Sequence, residues 1–394
     1  MRVCLVHNHP IFRAGEEVAV EAVQRTLSAN GHEVTSFFHY TNDVLRTPLG
    51  KVRAFASGIW NNRIAREFAK LLSSTRPDIV QVQNVYPVIS PAVFEVAKLA
   101  DIPVVMRCSN YRLRCPTGLL MSKKTCEICE RCVGGSEYWC VLKNCEASFC
   151  KSAGYALRTA YHRIRGTIEK NTSIYFCPSN FLRQKFIDWG IPQEKTVVIP
   201  TPARAITYEP TPAGTGSYVA YVGRISPEKG IDWLLAAAAE AKQVPVKLAG
   251  QVSELSERSM QRLPANVTWV GQLAGSRLDE FYNSARVVVI PSICYDVFPN
   301  VGLEAMVRGR PIIGSWIGGI PELVDHGRTG LLVSPRDVQD LADKLHTLWD
   351  NKDLCHSMGE AGRSKVLNDY SEERFYTRLM RLYRKVIQEK RDNF

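Results

Sequence analysis

Nowhere in the 394 residues is there an uninterrupted apolar run near the roughly 18 residues that a membrane-spanning helix needs. The apolar start Val3 to Val6 is too short for the core of a secretion signal, so the chain is expected to be cytoplasmic. Short-period repeats and low-complexity tracts are absent. With 45% hydrophobic and 23% charged residues, nothing in the composition argues for a disordered, collagen-like or coiled-coil chain. Net charge is nearly missing from the second half, where 24 Lys and Arg face 23 Asp and Glu over residues 201–394. Residues 1–200 hold 26 against 16, so the +11 of the chain sits almost wholly there. A basic half suits an anionic partner such as nucleic acid, a phosphorylated substrate or a membrane face; a solvated basic surface is the plain alternative. Cysteine is sparse outside one stretch, since 8 of the 12 lie between Cys108 and Cys150. In a reducing compartment that clustering favours metal over disulfides.

The length predicts two domains. Arg2 to His7 is strand-like, Pro10 to Gly15 a loop, and Val20, Val23 and Leu27 recur at helical spacing until Asn30-Gly31. Strands follow at Glu33 to Phe38, Ile79 to Val82, Pro103 to Met106, Ile174 to Cys177 and Thr196 to Ile199, with a helix over Pro91 to Leu99. Short apolar strands alternating with helices imply a parallel sheet covered on both faces. Between Pro200 and Gly216 four prolines and two glycines mark a linker. The alternation then restarts at Tyr218 to Val222, Val246 to Ala249, Val267 to Val270, Val287 to Ile290, Ile312 to Gly314 and Leu331 to Val333. From Ser371 on, Phe375, Leu379, Leu382 and Val386 share one face of an amphipathic helix that is expected to pack rather than lie on a membrane.

Two segments carry chemistry. In Tyr221-Val222-Gly223-Arg224-Ile225-Ser226-Pro227-Glu228-Lys229-Gly230 a strand runs into a glycine turn with two cations before a helix. Open α/β sheets bind ligands at the carboxyl ends of their strands, so Arg224 and Lys229 are placed for a diphosphate. In the second segment, Pro291 to Met306, Asp296 and Glu304 stand eight positions apart across a loop-to-helix transition, with the backbone N–H groups around Asn300 and Val301 between them. Carboxylates that accept hydroxyl hydrogens beside amides that hold phosphate oxygens suit a polyol attached to a phosphate.

Taken in order, these motifs resemble the family 4 retaining glycosyltransferases of GT-B architecture, over nearly the whole chain. Gly15, in Arg13-Ala14-Gly15-Glu16-Glu17, is similar to the family's N-terminal glycine loop, and Gly223-Arg224 through Lys229-Gly230 to its diphosphate clamp. Asp296 to Glu304 matches its acidic pair, and Gly318-Gly319-Ile320-Pro321-Glu322 a late turn. The resemblance implies an α/β fold of two Rossmann-like, doubly wound domains facing across a cleft, with the C-terminal helix packing back toward the first. The expected divisions are 1–202 for an acceptor-binding domain with a cysteine-rich insertion at about 108–150, 203–216 for the linker, 217–370 for the nucleotide-sugar domain and 371–394 for the helix. It further implies a hexosyltransferase-like enzyme that moves a sugar from a nucleotide-diphosphate sugar to a glycan or lipid-linked acceptor, retaining the anomeric configuration. Lipopolysaccharide, capsule or exopolysaccharide synthesis at the cytoplasmic membrane face, by peripheral contact, is the implied setting. Glu304 would hold the ribose, Asp296 the donor sugar, Arg224 and Lys229 the diphosphate, and Gly271, Gln272 and Leu273 would lie near the base. The two cations would also stabilise the departing diphosphate, so no catalytic metal is expected. The chain departs from the family at Asp296, usually glutamate, at Pro299, often glycine, and at Ser109, where many relatives carry a histidine facing the donor sugar.

In the cysteine stretch, the two-residue gaps of Cys126, Cys129 and Cys132 let thiolates converge on one tetrahedral zinc. A subset of the family resembles this insertion, and the best match to it is Cys115, Cys129, Cys132 and Cys145, with Cys126 and Cys140 in reserve. Unliganded thiols and an iron–sulfur cluster are the other readings. Two other functions were open at this level. A sugar-nucleotide epimerase of related architecture could share the donor cleft without an acceptor site. A zinc-containing nucleic-acid-binding protein needs basic residues interleaved with aromatics, whereas Glu127, Glu130, Glu137 and Glu146 dilute the charge around the cluster, so no nucleic-acid partner is expected.

Overall fold

A computed structural model of the protein describes residues 1–10, 15–42, 55, 57–123 and 125–392; Arg13 and Ala14 of the expected glycine loop lie outside them. The chain forms two compact units, one made of Met1–Lys124, Cys129–Thr201 and Phe375–Phe394, the other of Thr125–Ile128 and Pro202–Arg374.

The first unit is built on a six-stranded parallel sheet. Its strands are β1 (Arg2–His9), β2 (Glu33–Tyr40), β3 (Ile79–Asn84), β4 (Val104–Arg107), β5 (Ile174–Cys177) and β6 (Thr196–Val198), in the order β2-β1-β3-β4-β5-β6. β1 and β3 are buried along almost their whole length, Gln81, Gln83 and Asn84 included, because both faces are covered, as a parallel sheet requires. Helices Gly15–Ala29, Asn62–Thr75 and Ala92–Leu99 connect the early strands. Asn61 caps the second of these by accepting from the Ile64 N–H at 3.2 Å. The last helix, Glu372–Asp392, buries Phe375, Leu379, Leu382 and Val386 against Val3, Leu5, Ile79, Val105 and Phe176. The expected apolar face thus closes the core of the first unit. Its buried Tyr383 hydroxyl donates to Gln81 Oε1, which pairs both oxygens inside that core while Gln81 Nε2 is left without a partner.

The second unit repeats the plan. Strands β7 (Tyr218–Val222), β8 (Val246–Ala249), β9 (Val267–Trp269), β10 (Ala285–Ile290), β11 (Ile312–Ser315) and β12 (Gly330–Val333) are all parallel, in the order β12-β11-β10-β7-β8-β9. One core joins Ala220, Val288, Met306, Ile312, Ile320 and Leu332. The proline-rich stretch read as a linker is tied down within this unit. A Cβ on Gly216 would stand 2.3 Å from backbone atoms of Ala285 and Arg286, and the Arg310 guanidinium donates to the Thr211 carbonyl. In both sheets the order reverses direction between two neighbouring strands, β1 and β3 in the first and β7 and β10 in the second. The connecting chains leave such a pair on opposite sides and open a crevice at its carboxyl ends.

Candidate functional site

In the second unit that crevice collects the residues singled out by sequence. β7 ends at Val222 and leads through Gly223 and Arg224 to the short turn Pro227–Lys229; β10 ends at Ile290 and leads through the Pro291–Pro299 loop into the helix Asn300–Val307. Because β7 and β10 are neighbours, the two loops meet, and the Ile293 N–H donates to the Glu228 carbonyl at 3.1 Å. Glycines permit this closeness. Gly230 has φ +73°, and a Cβ there would stand 1.7 Å from the Pro291 carbonyl oxygen. At Gly318, with φ +63°, a Cβ would stand 2.3 Å from the Asp296 carbonyl oxygen, and the Gly319 N–H donates to the Asp296 carbonyl at 2.7 Å. The late glycine turn therefore fixes the Asp296 loop.

Lys229 and Asp296, read as holding different parts of a ligand, are ion-paired to each other. Ser292 Oγ donates to the same Asp296 oxygen, Oδ2, at 3.1 Å. Burial works against the Lys229 charge, yet the Asp296 carboxylate outweighs it and holds the ammonium above its ordinary range. Arg224 is 58% exposed at the side chain and pairs with Glu228 at 2.5 Å. Burial raises the Glu228 carboxyl while Arg224 lowers it, and the net direction is down. Glu304 sits on the helix Asn300–Val307 and accepts from the buried Tyr282 hydroxyl at 2.8 Å. Asn300 and Val301 open that helix. Gly271, with φ +79°, follows β9 and accepts from the Gly250 N–H at 2.8 Å; Leu273 packs on the core and Gln272 is exposed. Sequence reasoning missed Tyr282 and Ser292, whose partners lie 22 and 4 residues away and carry no local pattern.

In the first unit, Gly15 begins the helix Gly15–Ala29. Ser109 lies just past β4 and accepts from Gln83 Nε2 at 3.3 Å. At the end of β1, His7 is fully buried with Nε2 3.0 Å from Glu17 Oε1. The ligand atoms of His7, His9 and Glu17 all lie within 4.8 Å of one another, a spacing that no three cysteine sulfurs reach among the described residues. Cys132, Cys140 and Cys145 nonetheless pack in one buried cluster with Ala156, and Cys115 is buried too. Cys140, read as a reserve ligand, is in that cluster, whereas Cys129 is half-buried. A hydrogen bond from Cys140 draws the Cys145 thiol below the ordinary range, and burial pushes Cys132 up to about 12. All twelve cysteines are free thiols.

Two family models match the chain, "Glycosyltransferase Family 4" over residues 14–203 and "Glycosyl transferases group 1" over residues 216–351. Alpha-maltose-1-phosphate synthase of Mycolicibacterium smegmatis is 34% identical over 186 residues, 43% of this chain and 48% of that protein. The chain thus spans about half the length of this relative. An uncharacterized 42.6 kDa protein in the cps region of Klebsiella pneumoniae is 25% identical over 354 residues, 82% of this chain and 87% of that one. Among solved structures, sucrose-phosphate synthase from Thermosynechococcus elongatus superposes with a TM-score of 0.74 at 19% identity, covering 98% of this chain and 99% of that one. The likeness shows the fold, which is GT-B.

Proposed function

The chain is a glycosyltransferase of the GT-B fold, and from that premise we propose that it moves a hexose-type sugar from a nucleotide-diphosphate sugar to a glycan or lipid-linked acceptor, with retention at the anomeric carbon, in the synthesis of a cell-surface polysaccharide. The observation that carries the reading is the meeting of Lys229 with Asp296 at adjoining strand ends, with Glu304 eight residues further on and oriented by Tyr282. Such a set offers a cation for phosphate oxygens and two carboxylates for hydroxyl groups within one unit.

In this reading Arg224 and Lys229 bind the diphosphate and stabilise the charge that grows on it as it leaves, a role that elsewhere falls to a divalent metal. Asp296 accepts from sugar hydroxyls and hands part of its hold on Lys229 to the incoming phosphate. Glu304 accepts from the ribose, and Gly271 to Leu273 border the base. The amides at Asn300 and Val301 add phosphate donors; Pro299 cannot. On the first unit, Gly15 and Ser109 are read as donor-binding, Ser109 offering a neutral hydroxyl where many members of the resembled family carry a titratable imidazole. The basic first half suits the anionic membrane face at which lipid-linked acceptors are presented. Among the described residues no helix is long and apolar enough to cross a membrane.

A structural zinc belongs to the same proposal. Buried thiols at Cys115, Cys132, Cys140 and Cys145 supply the sulfur donors that zinc prefers, although among the described residues no three of these sulfurs stand within 4.8 Å of one another, and Cys129 lies near enough for its charge to act on Cys132. The ion would be held by Cys115, Cys132 and Cys145 with Cys129 or Cys140, and would brace the insertion.

A panel of nucleotide sugars, each incubated with and without candidate acceptor glycans, tests the function. Release of nucleoside diphosphate that depends on acceptor is the expected result. An epimerised nucleotide sugar formed without any acceptor would replace this reading with the epimerase one.

A further inference from the structure

Arg107 closes β4 and is 98% buried by residue, its relative exposure being 2%. Its Nη2 donates to Thr201 Oγ1 at 2.8 Å, while Nε and Nη1 have no hydrogen-bond partner although both are shut off from solvent. Arg310 in the second unit provides the internal comparison. It is also fully buried, and burial lowers both guanidinium groups to about 10, so both stay charged at neutral pH. Yet Arg310 spends its donors on the carbonyls of Arg308, Asn283, Ala285 and Thr211. A buried guanidinium is normally saturated in this way, because stripping a cation of water without replacing the lost hydrogen bonds is costly. Arg107 departs from this, as does the buried Arg158, whose Nε also lacks a partner.

The side chain lines a narrow pocket at the carboxyl ends of β3 and β4, together with Asn84, Tyr86, Ser109, Asn110 and Arg112. Arg112 reaches only Asn84 Oδ1, at 3.4 Å. The stem of Arg112 is held by the Cys115-Pro116-Thr117-Gly118 turn, since a Cβ on Gly118 would stand 2.6 Å from its Cγ. Behind Tyr86 lies a third guanidinium, Arg158, 3.9 Å from the ring centroid. None of the three arginines has a salt-bridge partner among the described residues. The nearby Glu16 carboxylate is engaged with Asn110 Nδ2 at 2.7 Å. Three cations without a salt-bridge partner, one of them with two idle N–H donors buried beside a pocket that a hydroxyl and an amide also line, describe a receptor for an oxyanion. Guanidinium donors match the two oxygens of a phosphate or carboxylate in a fork, which a point charge cannot do.

We propose that this pocket seats an anionic group of the acceptor, a phosphate or a carboxylate, with Arg107 and Arg112 as its ligands. The assignment of the anion to the acceptor rests on the transferase reading above; the existence of the anion site does not. It gives Arg107 and Ser109, which both line the pocket, a joint task. It also makes an acceptor without negative charge a poor substrate.

The probes are inorganic phosphate, followed by ³¹P line broadening, and acetate, followed by its ¹H line, each titrated into the full-length protein at constant ionic strength. An Arg224→Ala/Lys229→Ala background removes the cations of the second unit. Saturable binding of at least one probe is expected there, and the probe that saturates tells phosphate from carboxylate. Arg107→Gln should weaken binding at least tenfold and Arg107→Lys by about threefold, in line with the loss of a fork but not of a charge. If Arg107→Gln fails to fold, Arg112→Gln, at a half-buried side chain, must still weaken binding at least fivefold. Absence of saturable binding for both probes, or unchanged binding in Arg112→Gln, overturns the proposal. Anion binding in a protein that transfers no sugar would leave the site standing and remove the transferase reading instead.

Discussion

The pairing of Lys229 with Asp296 makes a prediction that separate roles for the two residues would not. Their side chains are 32% and 11% exposed, so the pair lies between a screened surface bridge and a buried one. A charge-assisted hydrogen bond contributes about 1.5–3 kcal/mol when sheltered and about 0–1 kcal/mol when open to water. A coupling of about 1–2 kcal/mol follows, equivalent to roughly 5- to 30-fold in an equilibrium constant. Lys229→Met strips the clamp of a cation and should lower donor affinity roughly 10- to 100-fold. Asp296→Asn leaves the ammonium in place and frees it from its partner, so affinity should fall less than turnover does. The double variant should then lose less than the sum of the two. Calorimetric titration with the nucleoside diphosphate, denaturant unfolding and steady-state kinetics on the four proteins of the cycle measure this. The pH dependence has a definite sign. The folded-state pKa of Lys229 is raised, so the contribution of the pair is fully present below the ordinary value of 10.5 and is lost only as pH climbs beyond it. Donor affinity limited by this lysine should therefore be flat from neutral pH to about 10. Additive effects, within about 0.5 kcal/mol, or a loss of affinity that titrates well below that range, would refute the reasoning.

Glu304→Gln should raise the donor Michaelis constant about tenfold with turnover changed less than twofold, because ribose contacts are alike in ground and transition states; Tyr282→Phe should do the same more mildly. Gly230→Ala should cost stability by roughly 1–3 kcal/mol and cut transfer more than tenfold, since its Cβ would meet the Pro291 carbonyl and part the two loops. Elemental analysis of protein purified without added metal should find about one zinc per chain; folded protein free of zinc and with all thiols titratable would exclude the structural site. His162 is buried, which lowers its pKa to about 4, so it favours the folded state above the ordinary value of 6.5 and loses that contribution as pH falls toward 4. His162→Gln should therefore flatten the acid limb of the thermal stability profile between those values by up to about 3 kcal/mol.

The positions of the strands in both sheets follow from sequence to a large degree. Buried parallel strands are short apolar runs set off by glycine and proline, so Ile174–Cys177 and Tyr218–Val222 are visible residue for residue, and β10 misses only its first two positions. Those two, Ala285 and Arg286, carry no apolar signal; Arg286 is buried because its guanidinium donates to the Gly216 and Trp349 carbonyls, contacts 70 and 63 residues away. The amphipathic face of the last helix was likewise legible, since Phe375, Leu379, Leu382 and Val386 repeat at helical spacing whatever they pack against. The acidic pair and the clamp cations could be found because each lies within one short segment.

What local pattern cannot express is which segments become neighbours. That Lys229 meets Asp296 is decided by β7 lying beside β10, which brings residues 67 positions apart to hydrogen-bond distance. That Glu304 is aimed by Tyr282, and that Cys140 rather than Cys129 enters the buried thiol cluster, are decisions of the same kind. Arg107 is the plainest case. In sequence it is one more cation in a basic half; in the fold it is a buried charge with idle donors beside a pocket, because the sheet removes its water and leaves only Thr201 in exchange. The residues and their periodicities determined the elements and the chemistry on offer, while desolvation and proximity, which belong to the folded chain alone, decided how that chemistry is paired.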